Sequence, residues 1–479
     1  MNATDIRRLV ACLLAKRFLI ITGLSGSGKT RTVQAFARWL TPSSHAGDPF
    51  IPGFRMRGEQ GQEYVVVSAN DGIVEFEFEN GKLLPLPRKI IEEWADYIEL
   101  NQLSKSISGK ELRERVAGQS KFYPHLQRIE SHYKPAAFAL VESRKAGNAI
   151  RCHAVIPVGA DWTSNESVLG YPDGLNKESY ITKPALDLML QAQEHPDIPH
   201  FLILDEMNLS HVERYFADIL SAIESNEEIV LHGDKVRKAD DRAVPGRLAL
   251  PGNLFIMGTV NVDETTYMFS PKVLDRANVI EFRMDANELK AFLGDPSSPD
   301  LPRLDAKGTV FAGEFVARAR QPAPLPNEIR MEFEQELLLF FNTLQENGAE
   351  FGYRVAHEAA RYMHFHHALG DHPHGDASWF RPAFDCVIIQ KLLPKLHGSR
   401  ARLGPVLRTL WFLCMNDPTH RGPNALQDAA SVSRSSDKRA EPSTAPELLE
   451  KAHYRLSAEK IGRMWRLLHE NGFASFAET

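Results

Sequence analysis

The stretch RFLIITGLSGSGKTRTVQAFARWL, residues 17–40, decides how the rest of the chain is read. Its opening, RFLIIT, is a short apolar run suited to a buried parallel strand, and its close, RTVQAFARWL, continues as a helix. Between them GLSGSGKT (23–30) fits G-x-x-x-x-G-K-[ST] at every fixed position. A strand before and a helix after are the two contexts this loop requires. Gly23, Gly26 and Gly28 let backbone N–H groups curl around phosphate oxygens, with Leu24, Ser25 and Ser27 completing the loop. Lys29 is expected to neutralise the β- and γ-phosphates of a nucleotide, and Thr30 to supply a hydroxyl to Mg²⁺.

Ahead of this stretch, Ile6, Leu9, Val10 and Leu13 recur at helical spacing. The apolar run from Leu9 to Thr22 is interrupted by Lys16 and Arg17. It leads straight into the loop, so it reads neither as a signal peptide nor as a membrane span, and a cytoplasmic protein with no membrane partner is expected.

Behind it, the pattern alternates. IRCHAVIPV (150–158), HFLILDE (200–206) and NLFIMGTVN (253–261) are strand candidates, with TKPALDLMLQAQ and HVERYFADILSAIE (211–224) as helices between them. Alternation of this kind implies an α/β fold with a doubly wound parallel sheet, whose ligand sits at the carboxyl ends of the strands. The polar motifs fall at those ends.

At 479 residues the chain calls for two or three folded units. Its 43% hydrophobic and 25% charged composition is that of a globular protein. With 56 basic and 62 acidic residues the net charge is -6, so the whole chain carries no footprint for nonspecific nucleic-acid binding. Cys12, Cys152, Cys386 and Cys414 lack C-x-x-C spacing and read as reduced, mostly buried thiols.

Six segments follow. Residues 1–44 begin the nucleotide core. Residues 45–148 are an insertion, in which YVVVSANDGIVEFEFENGKLLPLP gives three β-rich runs separated by turn signals, followed by helical patterns over 86–131. Its Val74, Phe76 and Phe78 alternate with Glu75, Glu77 and Glu79, a buried face against an acidic one. The core resumes over 149–285, a helical lid covers 286–415, and a Ser- and Pro-rich linker spans 416–446. Residues 447–479 hold a closing helix with the apolar stripe Ile461, Met464, Trp465 and Leu468.

In FLILDE the two carboxylates carry different expectations. Asp205 holds Mg²⁺ through its water shell, and Glu206 orients and deprotonates the attacking water. Asn261 ends the fourth strand, where it can hydrogen-bond the γ-phosphate or the water from the side opposite Glu206. In PKVLDRANVIEF, Arg276 can reach a neighbouring subunit's γ-phosphate as an arginine finger, or pair with Asp275. Glu288-Leu289-Lys290 has the E-x-K spacing of a nuclease metal site, yet reads as a solvated helix start. His364, His366, His367, His372 and His374 read as a polar loop or a metal site. Trp162 lines a pore or partner contact, or packs in an ordinary loop.

The set GLSGSGKT, LDEMNLSHVERYFADILSAIE and GTVNVDETTYMFSPKVLDR resembles the McrB and dynein-related branch of AAA+ proteins, close to the MoxR-type ATPases. The resemblance covers residues 1–44 and about 149–285, and extends more weakly into the lid. It implies Lys29 and Thr30 as the loop pair, Asp205 and Glu206 as magnesium and catalytic carboxylates, Asn261 as the sensor and Arg276 as the finger. FGYRVAHEAARYM resembles the segment presenting a second sensor arginine, which falls on Arg354. The family further implies a hexameric ring hydrolysing ATP or GTP and, for McrB, a motor working with the nuclease partner McrC on modified DNA, which this chain would then reach through its partner. Two departures stand out: the loop starts at residue 23, leaving no room for an amino-terminal DNA-reading domain, and Glu264 stands at the last acidic position of the Met-Asn-x-x-Asp signature, which leaves the base open. A protein-remodelling chaperone of the MoxR kind and a slow nucleotide switch share the same core motifs.

Overall fold

The structure is a computed structural model that describes residues 3–42, 49–50, 54–57, 63–69, 72–78, 80–100, 103, 107, 133–146, 151–239, 242–262, 267–284, 286–294, 300–346, 348–370, 372, 376–415 and 441–476. Helix α1 (Ala3–Ala15) buries Leu9, Cys12, Leu13 and Leu14 and leads through Lys16 and Arg17 into β1 (Phe18–Gly23). All six residues of β1 are buried, as expected of an apolar run without alternation. The glycine-rich loop then opens into α2 (Lys29–Leu40), which buries Val33, Phe36, Ala37 and Leu40 on one face.

The insertion is an antiparallel meander of β2 (Arg55–Arg57), β3 (Glu63–Ala69), β4 (Ile73–Phe78) and β5 (Leu83–Pro87). The short β2 adds a strand to the three that the turn signals mark. Helices Arg88–Leu100 and Tyr133–Ala146 pack together beside it, enclosing a core of its own around Tyr64, Val74, Phe76 and Trp94. Of the outward carboxylates, Glu77 is exposed while Glu75 is half-buried and accepts a hydrogen bond from Ser68 Oγ at 2.7 Å. Glu79 and most of 101–132 lie outside the described residues. The module meets the nucleotide core where Phe54 packs on Cys152 and Ile198 and Arg55 pairs with Asp197.

The core resumes with β6 (His153–Pro157) and a hairpin of β7 (Gly170–Pro172) and β8 (Tyr180–Thr182). After helix Pro184–Glu194 comes β9 (His200–Asp205). Two short antiparallel pairs follow, β10 (Ile229–Val230) with β13 (Arg247–Leu248) and β11 (Val236–Ala239) with β12 (Arg242–Pro245). The chain then forms β14 (Leu254–Asn261) and β15 (Asn278–Glu281). One five-stranded sheet results, in the order β15-β1-β14-β9-β6, with every neighbouring pair parallel. The parallel sheet agrees with the reading of the sequence. Its fifth strand does not appear there, because NVIE is four residues long and gives too short a pattern to separate strand from helix.

The expected long helix over 211–224 is two, Val212–Tyr215 and Ala217–Ser225, parted at Phe216 with φ -114 and ψ 11. Tyr215 and Phe216 are both fully buried, against Trp162 and Phe18 respectively. The break lets two adjacent large rings reach different pockets, which an unbroken amphipathic helix with one apolar face does not offer.

The region 286–415 is mostly helical, with Arg330–Gln345, Tyr353–Ala368 and Arg400–Met415 its longest members. Helix Arg455–Asn471 buries Ile461, Met464, Trp465 and Leu468 against it, and β16 (His397–Ser399) pairs with β17 (Phe473–Ser475). The closing helix is therefore part of the helical unit. Of the expected linker, 416–440 lies outside the described residues, while 441–446 is packed: Glu441 accepts from Arg408 at 2.9 Å, and the Ser443 carbonyl lies 2.4 Å from where a Cβ on Gly462 would stand. One apolar core runs through both the sheet and the helical region. All four cysteines are buried, and none of them forms a disulfide. Among the described residues no helix is long and apolar enough to cross a membrane.

Candidate functional site

The loop 23–30 follows the carboxyl end of β1 and delivers its last two residues into the first turn of α2. Gly28 caps that helix in the left-handed region, φ 89, which a side chain disfavours. Gly23 answers to a different constraint: a Cβ there would stand 2.4 Å from the Phe282 carbonyl oxygen, because the chain leaving β15 crosses it. The first-turn N–H groups of α2 and the positive end of its dipole make this a site for an anion. Lys29 is buried, and its Nζ donates to the carbonyls of Gly23 at 2.9 Å and Leu24 at 2.6 Å.

Thr30 Oγ1 donates to Asp205 Oδ1 at 2.6 Å, joining the loop to the end of β9. The same oxygen accepts a second hydroxyl, Thr259 Oγ1, also at 2.6 Å. Thr259 in turn accepts the backbone N–H of Glu206 at 3.2 Å, and Asn261 Nδ2 donates to Glu206 Oε1 at 3.3 Å. Two residues apart on β14, Thr259 and Asn261 share one face of the sheet. Asn261 is paired in register with Gly23, so β14 lies between the loop strand and the acidic strand. Asn261 was expected to act from the side opposite Glu206. The structure instead has the two side chains in contact.

Glu206 has φ 53 and ψ 48, a left-handed conformation that costs a non-glycine residue about 1–3 kcal/mol and persists only where surroundings enforce it. The surroundings are visible. Met207 is wedged under Gly258, its Sδ 2.4 Å from where a Cβ would stand, and the Met207 carbonyl accepts from Tyr215 Oη at 2.8 Å. The turn that follows β9 is thereby pinned from below, and the carboxylate is held beside Asn261.

The donor set fits a magnesium ion shared with phosphate: one hydroxyl and one carboxylate, both hard oxygens 2.6 Å apart, leaving the remaining positions of an octahedron to water and phosphate. Among the described residues no three His, Cys, Asp or Glu side chains gather as a protein-only metal cage. His366, His367 and His372 gather around the Trp379 ring, with His374 outside the described residues. Lys290, in the E-x-K triplet, is exposed on helix Ala286–Gly294. Trp162 packs edge-on against Tyr215, and its carbonyl accepts from Ser210 Oγ at 2.7 Å.

Two further candidates lie elsewhere. Arg276 comes just before β15, and Arg354 lies in the first turn of helix Tyr353–Ala368; both pair with Glu224. Asp275, the alternative partner for Arg276, pairs with Lys395 instead. Since β15 starts opposite Leu19 and runs parallel to β1, Arg276 lies at the amino ends of the strands, about 15 Å from the loop at the other end.

Reading the sequence also missed groups at the loop's own end. Thr259 carried a signal, since it shares a strand face with Asn261. Lys460 and Arg463, on the closing helix, carried none, lying far away in sequence. Both pair with Glu281, at 3.4 Å and 2.6 Å, and Glu281 is in register with Thr22, the residue before the loop. Burial holds the Lys460 ammonium down to about 7, with Glu281 opposing that shift and Arg463 adding to it.

Residues 309–473 match a family model described as a domain of unknown function, DUF8727, which therefore spans the helical region and the closing helix but not the loop. No curated protein matches the chain. Among solved structures the chain is similar to a candidate ATPase from Cytophaga hutchinsonii, at 13% identity and a TM-score of 0.32, over 64% of this chain and 88% of that one.

Proposed function

We propose that this chain is a magnesium-dependent nucleoside triphosphatase of the P-loop AAA+ type, hydrolysing ATP or GTP. The observation that carries the reading is the continuous set of contacts Thr30–Asp205–Thr259–Glu206–Asn261, with Glu206 held left-handed beside the loop. Loop amides and Lys29 grip the β- and γ-phosphates. Thr30 and Asp205 hold Mg²⁺, which when bound draws charge from the bridging phosphate oxygens. Glu206 accepts the proton of the attacking water, and Asn261 orients the water or the γ-phosphate. Arg276 serves the nucleotide of an adjacent subunit, so the working form is a closed ring, of six by resemblance to the McrB branch. In that ring the chain acts as the motor for a separate nuclease subunit on DNA, as part of modification-dependent restriction or phage defence.

The test separates cradle from base. Lys29→Ala is expected to abolish nucleotide binding, measured by titration with a fluorescent ATP or GTP analogue. Glu206→Gln is expected to bind normally and to hydrolyse at least about a hundredfold more slowly, the scale of losing a positioned base. Normal turnover by Glu206→Gln sinks the assignment.

A further inference from the structure

The turn that carries Glu206 is tied at both ends to one short loop. Val158, where the chain leaves β6, donates its N–H to the Asp205 carbonyl at 3.0 Å, and the Trp162 carbonyl accepts from Ser210 Oγ at 2.7 Å. The loop 158–162 therefore brackets residues 205–210. Within it the Trp162 N–H returns to the Gly159 carbonyl at 3.2 Å, and the indole folds back over Gly159, where a Cβ would stand 2.7 Å from Nε1. A side chain at 159 would push the ring away; glycine lets it turn inward.

The ring turns towards Tyr215 and meets it edge-on, with 5.3 Å between centroids and an interplanar angle of 78°. Such a pair fixes the angle between two rings as well as burying them. Tyr215 ends helix Val212–Tyr215, is fully buried, and donates its hydroxyl to the Met207 carbonyl at 2.8 Å. Burial first, and the nearby Glu213 second, push its pKa up, so the hydroxyl keeps its proton and stays a donor. Met207 directly follows Glu206, and its thioether fills the notch at Gly258. Two further ties hold the same turn: the Glu206 N–H donates to Thr259 Oγ1, and the Asn208 amide donates to the Asn261 carbonyl at 3.4 Å. A glutamate at φ 53 persists only where its surroundings over-determine it, and Tyr215 is the one of these ties that an aromatic partner orients in turn.

We propose that Trp162 and Tyr215 are positioning residues that hold the backbone at Glu206 and Met207 in its left-handed turn and so keep the Glu206 carboxylate beside Asn261. The proposal rests on the reading of Glu206 as the base and adds two residues that act on it through the backbone. Trp162 then works inward, through Tyr215, rather than on a pore.

The test starts from Tyr215→Phe, which removes only the hydroxyl. Its kcat is expected to fall at least about tenfold, the scale of a buried hydrogen bond left unmade, with KM changed less than about twofold because the loop 23–30 is untouched. Trp162→Ala is expected to lower kcat similarly, and Trp162→Phe, which restores a ring, to recover most of it. The double variant Tyr215→Phe/Trp162→Ala is expected to be within about twofold of the slower single variant, since both act through one contact. The backbone has a readout that does not depend on hydrolysis. Glu206→Gly is expected to show a higher urea midpoint than Glu206→Ala, because glycine takes the left-handed region freely, and that gap is expected to close in a Tyr215→Phe background. An unchanged kcat in Tyr215→Phe, losses that multiply in the double variant, or a gap that is absent in the wild-type background or persists in the Tyr215→Phe one overturns the proposal. If Tyr215→Phe gives no cooperative melt, Trp162→Leu carries the same comparisons. A wild-type chain that hydrolyses no nucleotide overturns the reading of Glu206 as a base, while the gap between glycine and alanine still decides whether Tyr215 holds the turn.

Discussion

The two ends of the parallel sheet are built on opposite principles. At the carboxyl ends, acidic side chains are arranged by neutral donors: Asp205 by the hydroxyls of Thr30 and Thr259, Glu206 by the amide of Asn261. Among the described residues no Lys, Arg or His forms an ion pair with either carboxylate. At the amino ends, basic side chains are arranged by buried acids: Arg276 and Arg354 by Glu224, Lys16 and Lys391 by Glu358. Asp205 and Glu206 are thus held by neutral donors, whereas Glu224 and Glu358 are each shared by two cations. The two groups of side chains lie about a strand length apart.

The largest effect that would break this comparison is on Arg276. Arg276→Ala is expected to lower hydrolysis on the order of 10³-fold, the lower bound of what a trans-acting arginine contributes, with nucleotide affinity unchanged. Equimolar mixing with Glu206→Gln subunits is expected to recover part of the activity, read as phosphate release against mixing ratio. Full activity of Arg276→Ala alone would place the finger elsewhere.

A smaller change tests the neutral scaffold at the other end. Thr259→Val keeps the volume but removes the donor to Asp205 and the acceptor for the Glu206 N–H. Leaving buried groups unpaired costs about 1–3 kcal/mol, so a fall of about tenfold in hydrolysis is expected, with a raised Mg²⁺ requirement as Asp205 loses its orientation. A magnesium titration of the steady-state rate checks both, and an unchanged titration shows that Thr30 alone orients Asp205.

The smallest effect concerns Lys460, at the carboxyl end between Glu281, Arg463 and the Phe476 ring, with Arg283 and Glu459 nearby. Its folded pKa, about 7, lies below the ordinary 10.5, so across that window the unfolded chain binds the additional proton. Stability therefore rises with pH from about 7 towards 10 through this group. Lys460→Met is expected to lose that slope and to gain most over wild type at and below pH 7, read from urea midpoints at pH 7, 8 and 9. Equal slopes in the two proteins show that Lys460 stays protonated through the window.

The strands that carry the chemistry were legible because each is an apolar run ended by polar residues, and such runs need only their own composition to be recognised. The break at Phe216 was not, because Tyr215 and Phe216 continue the helical pattern perfectly well; only the positions of Trp162 and Phe18 make the break favourable. Lys460 and Arg463 read as two cations on an amphipathic helix, and nothing local ties them to Glu281.

By itself the sequence determined the loop 23–30, the carboxylates Asp205 and Glu206, the strand-ending Asn261 and the separate insertion, since these depend on residue type and short spacing. Tertiary structure decided which strands are neighbours, and with it that Asn261 stands beside Gly23 and against Glu206. It decided the left-handed turn at Glu206, enforced by Met207 under Gly258. It also decided that Arg354 stands with Arg276 on Glu224, because an ion pair between residues 130 apart in sequence is set by how helix Tyr353–Ala368 is tied to the sheet. Local pattern specifies groups; the direction in which a group is offered depends on the packing of elements that the pattern treats as independent.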